Sequence, residues 1–283
     1  MQARAELTEA FGTRKAKKRL AEETRNAVTP QKNADGTPRK LDAASRAILA
    51  EIGEKTATMA TREELQAATD AAKPVPRPNL DTDDIHDVYD PHVLIGEELL
   101  DSVPVMDWWD AVKNKEDLQF PSRFVAARMT RLASTKGATM RLRLLRYILF
   151  LIIFYTTTKS GRERGTRQAA PREVLRKLLD PAPDSVIDSI RRRFSDAGTM
   201  RGFHIDLLQT HICAFALVVD SFRVELWDLQ LDLKLDEKHM IGYFRQIGAR
   251  VKKIEEKGRT TQVAELSLPL DLPKQRNFRA GRR

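Results

Sequence analysis

Cysteine is almost absent from the sequence. Cys213 is the single cysteine among 283 residues, which excludes an intrachain disulfide framework and a cysteine-rich zinc site. Its thiol lies in the apolar run at residues 212–219, a setting typical of a buried and unreactive cysteine. No two of the five histidines lie four residues apart, so the sequence contains no helical histidine pair for a metal ion. We therefore expect neither a metal nor a cofactor.

Long hydrophobic runs are also missing. The longest uncharged apolar stretch, residues 147–155, has nine residues, whereas a membrane-spanning helix needs about 20. Residues 1–20 carry scattered charges and lack the apolar segment of a signal peptide. These features predict a soluble intracellular protein in which the apolar stretches form buried helices.

Recognisable catalytic motifs are lacking as well. Gly161 and Gly165 lie in the stretch SGRERGTR, which has no lysine of a phosphate-binding loop. The aspartates that begin at Asp81 lack the glycine and the final glutamate of a calcium-binding EF-hand loop. His211 and Cys213 are two positions apart and do not face each other on a helix. These absences argue against an enzyme.

The charge that is present is unevenly distributed. The chain has 49 Lys and Arg against 40 Asp and Glu, a net charge of +9. Residues 1–78 carry a net +4, residues 79–119 a net −10, and residues 120–283 a net +15. Lysine and arginine attract phosphates, so the basic part indicates an acidic polymer as its partner.

Composition divides the chain into five segments. They are a linker with short helices at 1–78, an acidic helical lead-in at 79–136 that packs on the next segment, two globular repeats at 137–203 and 204–273, and a basic tail at 274–283. The linker ends in the proline-rich spacer KPVPRP, which favours extended backbone. Trp108 and Trp109 of the lead-in are expected to pack in the core, because the surrounding negative charge opposes a base-stacking role.

The first repeat (137–203) contains three predicted helices. A long apolar helix at 140–156 is followed by a short helix at 171–179. Asp184 is a suitable N-cap for the third helix, whose apolar residues recur at helical spacing. The candidate wing of this repeat, residues 198–204, is too short for a hairpin.

The second repeat (204–273) follows the same order. Residues 206–222 form a long apolar helix, a shorter element follows, and Asp236 caps a third helix. Residues 252–270 then form a predicted hairpin that turns at Lys257, with apolar residues at alternate positions after the turn. Three helices followed by a two-stranded hairpin are typical of the winged helix, a relative of the helix-turn-helix. We therefore predict a mainly α fold with a small β wing: a tandem winged helix preceded by an extended, partly helical linker.

Four short stretches carry a family resemblance. They are EAFGTRKAKK at 9–18 with Arg25 and Asn26 after it, SRFV at 122–125 with the helix at 144–154, FRQIG at 244–248, and AELSLPL at 264–270. In order and spacing they resemble the A-forty-nine/PAF-fifty-three family, a peripheral subunit of eukaryotic RNA polymerase I. Together they span almost the whole chain in the family's order.

The resemblance implies a non-catalytic subunit that supports initiation and elongation of ribosomal RNA transcription in the nucleus and nucleolus. A tandem winged helix similar to that of TFIIE would bind double-stranded DNA near the cleft, and a linker would cross the RNA polymerase I core. Apart from the resemblance, the aspartates that begin at Asp81 suggest an acidic segment that contacts a basic polymerase surface. The family also has a dimerisation domain similar to that of TFIIF. No such domain precedes the linker, so we expect pairing with the heterodimer partner only through a domain missing here.

The residues expected to contact DNA are basic side chains of the third helices and of the hairpin, because such side chains neutralise phosphates and release counterions. They are Arg245, Arg250, Lys252, Lys253, Lys257 and Arg259 in the second repeat, and Arg191, Arg192 and Arg193 in the first. The alternative is a solvated face whose cations pair with acids such as Glu255 and Glu256. Gln246 and Gln262 are isolated, so we expect binding without sequence specificity.

The linker residues expected to contact the polymerase are Phe11, Arg14, Lys15, Lys17 and Lys18. This basic run also fits a nuclear-import signal, and the two roles are compatible. A second function remains open, because winged helices also serve as protein-contact modules. It is a protein-interaction scaffold that docks on the polymerase or its factors without direct DNA contact.

Overall fold

The computed structural model of the chain describes Thr13, Lys15, residues 72–256 and residues 259–273, with the backbone alone at 256 and 259. By its internal contacts the chain divides into two compact parts, Met1–Ala67 and Ala68–Arg283. Most of the predicted linker and the predicted basic tail lie outside the described residues. The second part contains all the helices and strands named below.

The lead-in is helical. Its elements are α1 (Ile85–Val88), α2 (Pro91–Ile95), α3 (Glu97–Asp101), α4 (Met106–Asn114) and α5 (Arg123–Ser134). Side-chain oxygens of Asp84, Asp90 and Ser122 accept hydrogen bonds from the first turns of α1, α2 and α5, where backbone N–H groups have no partner within the helix. Trp108 is 3% exposed, and Trp109 packs against the core, which confirms the predicted packing role of both side chains.

The first repeat combines three helices with a small sheet. Its elements are α6 (Thr139–Thr156), β1 (Lys159–Ser160), β2 (Arg167–Gln168), α7 (Arg172–Leu178), α8 (Asp184–Phe194) and β3 (Thr199–Met200). The strands are antiparallel with β2 in the centre, so Gln168 faces Lys159 on one side and Thr199 on the other. Asp184 was expected to be the N-cap of α8, but it is the first helical residue and Pro183 is the N-cap.

The second repeat has the same helical order with a larger sheet. Its elements are α9 (Gly202–Val219), β4 (Arg223–Glu225), α10 (Leu226–Leu233), α11 (Glu237–Gln246), β5 (Arg250–Glu256) and β6 (Arg259–Glu265). The strand order is β4-β6-β5, antiparallel throughout, so the strand before α10 completes the sheet that the hairpin begins. Asp236 occupies the N-cap position of α11, as predicted, but its carboxylate contacts His239 and makes no capping hydrogen bond. A mainly α fold with small antiparallel sheets is therefore confirmed.

The core is built around α6 and α9, which pack against each other. Both helices are apolar on nearly every side, and such a helix is stable only when other elements surround it. Tyr147 of α6 and Phe215 of α9 meet edge to face, with ring centroids 5.9 Å apart. Among the described residues, α9 alone has the length and composition of a membrane-crossing helix, and 67% of it is buried inside the protein.

Helix α5 joins the lead-in to the second repeat through a buried carboxylate. Asp232 of α10 accepts hydrogen bonds from the Ser122 hydroxyl at 2.5 Å, the Arg123 N–H at 2.9 Å and the Phe124 N–H at 3.0 Å. The carboxylate thus satisfies free backbone donors at the start of α5. This contact explains structurally why the SRFV stretch begins with serine.

Further ion pairs reinforce the same attachment. Arg128 of α5 donates to Asp220 at 2.6 Å and to Asp228 at 3.2 Å, while Arg131 reaches Asp220 at 3.0 Å. Arg146 of α6 pairs with Asp107 of α4. The acidic lead-in therefore contacts α6 of the first repeat and α10 of the second.

Candidate nucleic-acid interface

The third helix of the second repeat is held rigidly at its end. Phe244 and Ile247 are fully buried, and Gly248 turns the chain into β5 with φ +80°. A Cβ atom at this glycine would lie 3.3 Å from the Leu270 Cβ, so the backbone approaches the segment after β6 closely. The arrangement leaves Arg245, in the last turn of α11, exposed.

The hairpin distributes its cations over two faces, because successive residues of a strand point to opposite sides. Lys253 lies directly opposite Gln262, and the Gln262 amide donates to Glu237 of α11 at 2.6 Å. Lys253 is therefore on the face of the sheet that carries α11, together with the partly buried Val251. Lys253 has no ion-pair partner among the residues that the structure describes.

Arg250 and Lys252 lie on the opposite face, where acidic residues accompany them. The Lys252 ammonium contacts the Glu265 carboxylate at 3.1 Å, and the Arg250 guanidinium lies 3.9 Å from Asp271. In the register of the sheet, Glu265 stands between Arg223 and Arg250. This face is consequently a mixture of both charge signs rather than a continuous basic surface.

The three arginines of α8 differ in their surroundings. Arg193 is half-buried and donates to the Leu94 carbonyl of α2. It lies near the buried Tyr147, whose pKa is raised to about 12 by burial while Arg193 opposes the shift. Arg192 is exposed and Arg191 half-buried. The structure therefore directs Arg193 toward the lead-in and leaves Arg192 on the surface.

A cleft of about 570 Å³ separates α8 from the lead-in. Ile95 and Leu99 form its apolar side, while Ser185, Asp188 and Arg192 form the polar side. The exposed face of α8 is thus partly covered by α2 and α3, and it carries Asp188 beside Arg192.

The remaining candidate residues are described only in part. Lys15 is helical and exposed, and only the backbone of Arg259 is described. The other candidates lie outside the described residues: Phe11, Arg14, Lys17, Lys18 and Lys257.

The buried titratable groups of the repeats carry no accessible chemistry. Burial lowers the pKa of His211 to about 4 and raises the pKa of the Cys213 thiol far above its ordinary value. The His211 ring packs between Phe194 and Phe215. Within the described ranges no cluster of histidine, cysteine and carboxylate side chains could hold a metal ion.

A basic hairpin in the first repeat was not among the predicted DNA contacts. Strands β1 and β2 frame the stretch SGRERGTR, whose glycines lack the lysine of a phosphate-binding loop. Lys159, Arg162 and Arg164 are all exposed on it. The signal available in the sequence was two arginines between the turn-forming Gly161 and Gly165, with Lys159 just before them. Strands of two residues are too short for an alternating pattern to reveal the hairpin.

Comparison of the sequence with known proteins gives a family match over almost the whole chain. The model of a family described as A49-like RNA polymerase I associated factor matches residues 1–273. The DNA-directed RNA polymerase I subunit rpa49 of Schizosaccharomyces pombe is 26% identical over 306 aligned residues, covering 99% of this chain. Subunit RPA49 of Saccharomyces cerevisiae is 27% identical over 263, covering 87%. The chain spans 67% of the first relative's length and 59% of the second's.

Proposed function

Because this chain belongs to the family of A49-like RNA polymerase I associated factors, we propose that it is a non-catalytic subunit of RNA polymerase I. The observation that carries the proposal is the extent of the family match, which runs from residue 1 to residue 273. In this role the protein acts in the nucleus, at the nucleolus, and supports initiation and elongation of ribosomal RNA transcription. The basic run that includes Lys15 contributes a polymerase contact.

The two repeats serve this function as a tandem winged helix. The second repeat supports the assignment, since a helix, a strand, two helices and a hairpin follow one another with the strand order β4-β6-β5. The first repeat has the same helices, but a single short strand, β3, follows α8. The second repeat is accordingly the more complete winged helix of the pair.

The tandem winged helix binds double-stranded DNA without sequence specificity. The exposed Arg245 and Lys253 support this assignment, since each is available to a phosphate without first breaking an ion pair to a described residue. The Gln262 amide is already bonded to Glu237, so it is not available as a reader of adenine. The affinity is expected to be micromolar or weaker at physiological salt.

One observation favours the alternative of a protein-interaction scaffold. Trp227 of α10 is 57% exposed, and large exposed aromatic side chains are common anchors of protein interfaces. The ion pairs of Arg250 and Lys252 point the same way, because Arg250 lies near Asp271 and Lys252 contacts Glu265 of the same sheet. Docking on polymerase subunits or factors through this face is compatible with DNA binding elsewhere.

Two measurements test the proposal. A tagged chain should co-purify with the RNA polymerase I core, and the same purification would reveal whether the heterodimer partner accompanies it. In fluorescence anisotropy with duplex DNA, affinity should fall steeply as salt rises. Co-purification without DNA binding at about 50–100 mM salt, where phosphate contacts remain strong, would leave the scaffold function. Failure to co-purify would refute the role as a polymerase subunit.

A further inference from the structure

The hairpin of the first repeat, residues 159–168, has three exposed cations with no role in the function described so far. Lys159, Arg162 and Arg164 project from it, and none forms an ion pair with any residue that the structure describes. Glu163 is the single acid in the hairpin. This concentration of unpaired positive charge distinguishes the hairpin from the face of the second hairpin that carries Arg250 and Lys252.

The loop between the strands has a defined conformation. The Gly161 N–H donates to the Thr166 carbonyl at 2.9 Å, and the Thr166 hydroxyl donates to the Glu163 carbonyl at 2.7 Å. A Cβ atom at Gly161 would lie 2.3 Å from the Thr166 Oγ1, so only glycine fits this packing. The loop therefore presents Arg162 and Arg164 from a fixed backbone, which lowers the entropy lost on binding.

The base of the hairpin is anchored in the repeat. Arg167 donates to the Thr158 hydroxyl and stacks over the Tyr155 ring, 4.6 Å from its centroid. On its other side β2 pairs with β3, where Arg167 faces Met200. The exposed Arg201 follows directly, so a fourth cation lies beside the hairpin at the end of the same sheet.

The two hairpins of the protein differ in what a phosphate would have to displace. At Lys252, a phosphate must compete with Glu265, which lies 3.1 Å away. At Arg162 and Arg164, it displaces only water and counterions, and counterion release from the nucleic acid drives such binding. Arg162 and Arg164 are thus better placed to bind a phosphate than Lys252 is.

We propose that the hairpin at residues 159–168, together with Arg201, is a second DNA-binding surface that holds the phosphate backbone of duplex DNA. The proposal rests on the DNA-binding function proposed above and adds a site to it. The hairpin lies between the first and second helices of its repeat, not after the third, so it does not occupy the position of a wing. It contains no aromatic residue, which favours duplex phosphates over stacked single-stranded bases.

The test uses the full chain and fluorescence anisotropy with a labelled duplex over a range of salt concentrations. The triple variant K159A/R162A/R164A should bind on the order of tenfold more weakly at moderate salt and lose about two to three units of the salt slope, close to 0.9 per phosphate contact removed. The matched control K113A/K136A/K177A also removes three exposed cations, all outside both hairpins, and should retain most of the slope.

A conservative variant separates charge from fold. R162K/R164K keeps the positive charge and should retain the salt slope, and circular dichroism melting should give the same midpoint for all variants. Equal losses in the triple variant and in the control would overturn the hairpin site while leaving DNA binding intact. Absence of duplex binding by the unmodified chain would overturn the DNA-binding function and the hairpin site together. A stronger loss for single-stranded DNA or RNA than for the duplex would overturn the duplex assignment.

Discussion

Asp232 is a single residue on which the junction between lead-in and second repeat depends. Its buried carboxylate accepts three hydrogen bonds from consecutive residues at the start of α5. Hydrogen bonds to a charged group are each worth about 1.5–3 kcal/mol, and removing the acceptor leaves the donors buried without a partner. A structural role of this size is independent of whether the protein binds DNA.

The first residue-scale prediction follows from that geometry. Asp232→Ala should lower the free energy of unfolding by about 2–4 kcal/mol, since the Ser122 hydroxyl and two backbone N–H groups lose their acceptor. Urea denaturation followed by circular dichroism measures the change. Asp117→Ala removes an exposed carboxylate of the lead-in and should alter stability by less than about 0.5 kcal/mol. Similar values for the two variants would contradict the capping role.

His211 provides a pH-dependent prediction. Its pKa is lowered from 6.5 to about 4, chiefly because burial disfavours the charged ring. Between these pH values the unfolded chain binds a proton that the folded chain does not, so the free energy of unfolding falls as pH decreases through this window. The full loss is about 3 kcal/mol, with no contribution above the unfolded pKa.

The comparison that isolates this contribution is between two pH profiles. Urea unfolding of the unmodified chain and of His211→Gln should be measured from pH 7 down to pH 4.5. The variant is expected to be less stable at pH 7, because the ring packs against Phe194 and Phe215, but its stability should fall less steeply with decreasing pH. Parallel profiles would mean that other groups account for the acid sensitivity.

At the scale of elements, the joint between α11 and β5 determines where the second hairpin points. Gly248 has φ +80°, a backbone conformation that side chains other than glycine rarely adopt. Gly242, six residues earlier in the sequence, lies within α11 and has open space where a Cβ atom would be. The two glycines therefore make a matched pair with opposite expected effects.

Replacing each glycine with alanine tests the joint. Gly248→Ala should lower the free energy of unfolding by about 1–2 kcal/mol, because of the positive φ and the close approach of Leu270. Gly242→Ala should raise it by up to about 1 kcal/mol, because alanine favours a helix interior more than glycine does. Thermal unfolding of both variants gives the two signs, and a neutral Gly248→Ala would show that the joint tolerates a Cβ.

At the scale of the whole molecule, the lead-in is part of the globular fold. Phe124, Val125, Met129 and Leu132 of α5 are buried together with residues of α6, so the repeats alone would expose a large apolar surface. The division of the chain falls at Ala67 and Ala68, before the lead-in. Acidic residues of the lead-in also form ion pairs with the basic repeats, such as Asp107 with Arg146.

Two truncations test this organisation. A chain that begins at residue 72 should fold cooperatively, with a melting midpoint close to that of the full chain. A chain that begins at residue 137 should be poorly soluble, because the apolar surfaces of α6 and α10 that α5 covers would face water. A soluble, cooperatively melting 137–283 fragment would contradict the structural role of the lead-in.

Much of the fold could be predicted because its helices are long and periodic. Apolar residues at helical spacing located α6, α8, α9 and α11 from the sequence, and the glycine-containing turn before Arg259 indicated the second hairpin. The small sheet of the first repeat was missed, since each of its strands has two residues. The lead-in was expected to pack on the first repeat. Its hydrogen bonds to Asp232 of the second repeat join residues 110 positions apart, and no local sequence pattern predicts such a contact.

The candidate site was less predictable, because the neighbours of a charged side chain depend on register and packing. The sequence suggested acids such as Glu255 and Glu256 as partners of the hairpin cations, and the structure shows that Lys252 contacts Glu265 of the neighbouring strand. Arg193 lies in a run of three arginines, yet it bonds to Leu94, 99 residues away. Residue type identified the cations, and only the fold separated the paired ones from the unpaired.

The cap that Asp232 provides also has a consequence for the order of events during synthesis. Ser122 leaves the ribosome 110 residues ahead of Asp232, which at about 5–20 residues per second is a delay on the order of 5–20 s. Throughout that interval α5 lacks both its acceptor and the α10 surface against which it packs. We therefore expect the nascent protein to depend most on a chaperone between the emergence of Ser122 and that of Asp232.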